Sequence, residues 1–106
     1  MPTYLWRASY TAAGTKGLLK EGGAKRRDAV KQMVAKGGGK LLAFYFAIGK
    51  ADVYAIAEFP DTATAVAFSM AINASGTVSV ESTVLLTPEE MDAATKKSIE
   101  YRAPGD

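Results

Sequence analysis

Residues 41–59, LLAFYFAIGKADVYAIAEF, decide the fold. Leu41 to Ile48 is an almost unbroken apolar run of strand length, and Val53 to Phe59 is a second strand-like run. Only Gly49-Lys50-Ala51-Asp52 separates them, so the two runs are expected to pair as an antiparallel hairpin. The first run has no polar face. Leu42, Phe44, Phe46 and Ile48 alternate with Leu41, Ala43, Tyr45 and Ala47, the pattern of a central strand covered on both sides.

On the C-terminal side of the hairpin, Pro60-Asp61 stops the second strand and Asp61 N-caps a helix over Thr62 to Ala74. Its polar stripe is narrow, mainly Thr62, Ser69 and Asn73, which implies cover on more than one side. Ser75-Gly76 ends it. Thr77 to Leu86 alternates as a strand, with Val78, Val80, Val84 and Leu86 on one face. Thr87-Pro88-Glu89-Glu90 is a capping box with proline at the first helical position, opening a short helix to about Lys97.

On the N-terminal side, Gly37-Gly38-Gly39 ends an amphipathic helix from about Ala24 to Lys36 that carries Val30, Met33 and Val34 on one face. Thr11 to Gly14 reads as a turn. Gly17, Gly22 and Gly23 argue against a continuous helix upstream, leaving an irregular turn around Leu18 and Leu19. Thr3 to Tyr10 reads as a strand with large apolar groups on both faces.

The order is therefore βαββαβ followed by a short helix. The expected fold is α+β and ferredoxin-like, a four-stranded antiparallel sheet with two helices on one face. It forms a single domain over residues 1–106, with 100–106 a loose tail. The other face of the sheet is too apolar to stand open, so a second copy is expected to cover it, sheet against sheet, as a homodimeric α/β barrel.

The chain has no cysteine and no histidine. This excludes disulfides, thiolate metal sites and cysteine nucleophiles, and removes the commonest general base and transition-metal ligand. No metal or cofactor is expected. No signal peptide or membrane span is read, so the expected location is cytoplasmic. Net charge is +2, but Lys16 to Lys40 holds eight basic and two acidic residues. A solvated helix face accounts for that run. Aromatic residues are not interleaved with it, so nucleic acid is not an expected partner.

Several segments, LKEGGAKRRDAV, the GGK before the hairpin, FYFAIGKAD, EFPD and SGTVSVESTVLLTPEE, together resemble the GYD-domain family from about Tyr4 to Glu90. That family comprises small bacterial and archaeal proteins without an established activity. Its eponymous Gly-Tyr-Asp turn corresponds here to Gly49-Lys50-Ala51-Asp52, with Ala51 in the tyrosine position. The resemblance implies a dimeric α/β barrel. Proteins of that superfamily include cofactor-free monooxygenases, isomerases, haem proteins and amino-acid-sensing domains, so fold alone does not select a function.

Polar residues inside apolar strands are the candidates for a ligand site between the two sheets: Arg7, Ser9, Tyr45, Asp52, Tyr54, Glu58, Glu81 and Thr83. Asp52, Tyr54 and Glu58 are expected to share one face of their strand, and Glu81 and Thr83 one face of theirs. Arg27 joins them as a counter-ion or anion clamp. Arg26 lies one turn before Val30, so at least one of this pair borders the buried helix face. Trp6, Tyr10, Tyr45 and Tyr54 read as core or interface, and Met33 and Met70 as core gap-fillers. The leading expectation is a homodimer that binds or senses a small molecule. The alternative is a cofactor-free isomerase or oxygenase-like enzyme using Tyr54, Glu58 or Glu81.

Overall fold

The computed structural model describes all 106 residues. The elements run β1 (Thr3–Tyr10), α1 (Ala12–Glu21), α2 (Gly23–Lys36), β2 (Lys40–Phe46), β3 (Val53–Glu58), α3 (Thr62–Ala74), β4 (Val78–Leu85) and α4 (Pro88–Thr95). The four strands form one open antiparallel sheet in the order β2-β3-β1-β4. The expected βαββαβ order holds, and α2 and α3 pack on one face of the sheet.

The core sits between that face and the helices. Tyr4 and Trp6 of β1, Val53, Ala55 and Ala57 of β3, and Val80 of β4 meet Val30 and Val34 of α2 and Ala65 of α3. At its centre Phe59, fully buried, lies against Tyr4, Trp6 and Phe68, with ring centroids 5.9, 5.5 and 5.0 Å away. Small residues on β3 let these rings approach the sheet. Tilted aromatic pairs at this spacing add about 0.5–1.5 kcal/mol each beyond their burial.

Four sequence expectations are corrected. First, Thr11 to Glu21 is not a turn and a loose segment. Thr11 is the N-cap of α1, its hydroxyl accepting from the Gly14 N–H at 3.3 Å and donating to the Gly76 carbonyl at 2.9 Å. Two glycines of this segment have specific uses. Gly14 is buried, and a Cβ there would press into the Thr77 carbonyl oxygen. Gly22, at φ 86°, makes the break between α1 and α2.

Second, β2 is an edge strand, not a central one. Its apolar run reflects cover from α2 on one side and membership of an apolar open face on the other, neither of which depends on its place in the sheet. Third, its faces do not alternate throughout. Pairing shifts from Leu41↔Ala57 to Ala43↔Ile56, a bulge at Leu42. Leu41 therefore joins Phe44 and Phe46 on the helix side, while Ala43 and Tyr45 face the other way. A bulge on an edge strand also blunts edge-to-edge pairing.

Fourth, α3 is not covered on more than one side. Its polar residues Thr62, Ser69 and Asn73 bond to the sheet. The Asn73 amide both accepts from Val80 N–H at 2.8 Å and donates to Val80 C=O at 3.3 Å, closing the free edge of β4 as a neighbouring strand would. Ser69 and Ser82 share a 2.7 Å hydrogen bond, and Tyr4 reaches Thr62 at 3.4 Å. Val66 and Met70 are left exposed. Met33 is also exposed, so neither Met33 nor Met70 fills the core.

The C-terminal segment projects from this body. The capping box of α4 forms as read, Thr87 and Glu90 exchanging bonds of 3.0 and 3.1 Å. Every residue from Leu86 to Arg102 is nevertheless exposed. The radius of gyration is 17.0 Å, against about 13 Å for a compact chain of this length. The exposed surface is 7509 Å², against about 5,700 Å² for a compact monomer of this mass.

The contrast between two α1 glycines is testable by chemical denaturation. Gly14→Ala is expected to cost about 2 kcal/mol or more, because backbone must move. Gly17→Ala, where nothing lies within 4 Å of the new methyl, should stabilise the fold by about 0.5–1 kcal/mol.

Candidate functional site

The open face of the sheet gathers most of the residues singled out from sequence. Strand register places Tyr45 opposite Tyr54, Tyr54 opposite Arg7, and Arg7 opposite Glu81. Four candidates from four strands thus form one transverse row. Arg7 and Glu81 are ion-paired at 2.6 Å, both well exposed in the single chain. A shallow groove beside them is lined by Arg7, Ser9, Tyr54, Ser79 and Glu81 together with Lys50 and Ala51.

The neighbouring row is apolar apart from its end: Ala43, Ile56, Leu5 and then Thr83. Glu58 stands beyond it, between Lys40 and Thr3. The register that the sequence left open is therefore fixed: Arg7, Tyr45, Tyr54, Glu58, Glu81 and Thr83 share the open face.

Two candidates fall elsewhere. Asp52 precedes β3, and its carboxylate accepts from the Tyr10 backbone N–H at 2.8 Å, extending the β1–β3 pairing around the turn. Arg27 lies on α2, exposed, 3.1 Å from Asp28. It is in the helix layer and takes no part in the open-face row.

The helix side holds a feature that sequence reasoning did not assemble. A cavity lies between α2, α3 and the sheet, with about 60 Å³ open to the centre of a water molecule. That is several times the roughly 10–15 Å³ one water needs on the same measure. Thirteen of its fourteen lining residues are hydrophobic, among them Trp6, Val30, Phe44, Phe68, Ile72 and Val80, and the remaining one is Arg26. Tyr10, Arg26 and Val78 also line a second, more polar hollow against α1, so those three residues stand where the two spaces meet.

At this junction the Arg26 guanidinium and the Tyr10 phenol interact with each other, and Glu21 lines the adjoining hollow. Arg7 and Arg27 each have a carboxylate, and Arg26 has none. The Trp6 indole nitrogen is buried without an acceptor, the one buried side-chain polar atom so placed. Burial pushes the Tyr10 phenol above its ordinary value of 10.0; the Arg26 guanidinium opposes this, and the charges of Asp52 and Glu21 reinforce it. The available sequence signal was the Arg26-to-Val30 spacing, one helical turn.

A scan against family models matches the GYD domain over residues 4–95. The chain belongs to the GYD-domain family. No curated protein and no solved structure matches it. Within this GYD domain the eponymous turn is structural: Ala51 is buried, and Asp52 holds the end of β1 through Tyr10. No helix is long and apolar enough to cross a membrane.

The raised Tyr10 value gives a signed pH prediction. A phenol held neutral in the fold contributes stability that is complete below pH 10.0, its unfolded value, and that is lost as pH rises through the folded value. Alkaline difference titration of wild type against Tyr10→Phe should show this tyrosine ionising late. Thermal stability of Tyr10→Phe should fall less steeply above that pH than wild type.

Proposed function

We propose that this GYD domain is a homodimeric small-molecule-binding module, with two open faces opposed and a ligand held between them at the Arg7–Tyr54–Glu81 row. The observation that carries the reading is that row itself, four polar or aromatic side chains crossing an otherwise apolar face. A binding site needs a few directed polar groups on apolar walls, and opposition of two such faces would supply both.

The surface area supports association. The single chain exposes about 1,800 Å² beyond a compact monomer of its mass, shared between the open face and the projecting C-terminal segment. The enzymatic alternative, a cofactor-free isomerase or oxygenase, requires a free base. Glu81 is committed to its ion pair with Arg7, so binding is the reading carried forward.

Sedimentation velocity and native mass spectrometry test both parts. At micromolar concentration the wild type should sediment at twice 11.2 kDa, and Ile56→Lys, which puts a charge at the middle of the open face, should sediment as one chain. A folded wild type that sediments as one chain would remove the dimer. A reproducible extra mass on the purified dimer, lost in Arg7→Gln or Tyr54→Phe, is the expected sign of the ligand. An extra mass that both variants retain would move the ligand away from this row.

A further inference from the structure

The geometry points to a second binding site, on the helix side of the sheet: the cavity between α2 and α3 takes a small apolar carboxylate, its body among the aliphatic and aromatic walls and its carboxylate on Arg26 and Tyr10. This site is independent of the dimer and of the open-face row proposed above.

Three observations converge. The cavity is apolar on every side except at Arg26, so its occupant must be apolar over most of its surface. Two polar side chains line the cavity itself, and both can donate. Arg26 offers a planar guanidinium with no carboxylate within ion-pair distance, and Tyr10 a phenol; Glu21 lines only the adjoining hollow. A ligand that complements these two donors presents acceptors and negative charge. Finally, Tyr10 and Arg26 stand at the meeting of the apolar cavity and the polar hollow against α1. A carboxylate there keeps one side toward water while the apolar body is buried.

The size sets a further limit. About 60 Å³ in the cavity and about 140 Å³ in the adjoining hollow suit a single ring or a short acyl chain rather than a nucleotide or haem. Guanidinium–carboxylate recognition is bidentate and planar, so a lysine in place of Arg26 is a poor substitute.

Trp6 is the only tryptophan in the chain and lines the cavity, so its fluorescence reports occupancy without a label. The probes are phenylacetate, hexanoate and cinnamate, with phenylacetamide as the neutral counterpart of the first. At least one carboxylate should change Trp6 emission saturably and bind more tightly than the amide. Arg26→Gln should weaken carboxylate binding by roughly tenfold or more, the scale of a lost charge-assisted hydrogen bond, and leave amide binding unchanged. Arg26→Lys should recover part of the loss, and circular dichroism should show both variants folded.

No saturable Trp6 response to any carboxylate up to about 10 mM, beyond the weakest useful affinity, overturns the proposal. Equal carboxylate affinity in Arg26→Gln and wild type overturns it as well. Loss of carboxylate binding in Arg7→Gln but not in Arg26→Gln overturns this site while leaving the open-face reading intact.

Discussion

The chain has helices for only one face of its sheet. Every other feature follows from that shortage. On the helix side, Val30, Val34 and Ala65 close over Trp6, Ala55 and Val80, with Phe59 at the centre. On the other side Leu5, Ile56 and Ala43 remain without a covering layer. Only 13 of 106 residues are buried, too few for the usual share of core in a domain of this size, and a small domain already buries proportionally less than a large one. Cover from outside the chain is the economical remedy.

The two faces also differ in the chemistry they can do. The open face carries an internally neutralised pair, Arg7 with Glu81, beside two tyrosines. Such a row can orient a polar ligand once water is excluded, but it brings no unpaired charge. The helix-side cavity is the reverse, almost wholly apolar with one cation, Arg26, that no acidic side chain neutralises. The first site, as proposed, would take its enclosure from assembly. The second lies between elements of one chain, and its polar junction is held by Asp52, which fixes the end of β1 next to Tyr10.

Local signals in the sequence were readable where the physics is local. The hairpin, the Asp61 N-cap, the glycine stop after α2 and the Thr87–Glu90 capping box each rest on a few adjacent residues, and each is present. What was not legible depends on partners distant in sequence. Gly14 reads as part of a turn until Thr77 is seen against it. Asn73 reads as a solvent-facing residue until its amide is found on Val80. The Leu42 bulge inverts the side assigned to Leu41, since a single inserted residue defeats a period of two. Arg7, Tyr54 and Glu81 fall on one face because they lie on strands free of bulges. Arg26 was visible only as one of a basic pair, and its choice over Arg27 needed the helix's rotation about its own axis.

The central claim is that folding of this chain is completed by a second copy. Thermal unfolding followed by circular dichroism over a roughly hundredfold range of protein concentration addresses it without assuming a ligand, because association with the native state alone makes Tm depend on concentration. The account predicts a Tm that climbs steadily with concentration. A Tm that stays constant across the range, with cooperative unfolding throughout, would show that the single chain is stable with its apolar face open and would contradict the account.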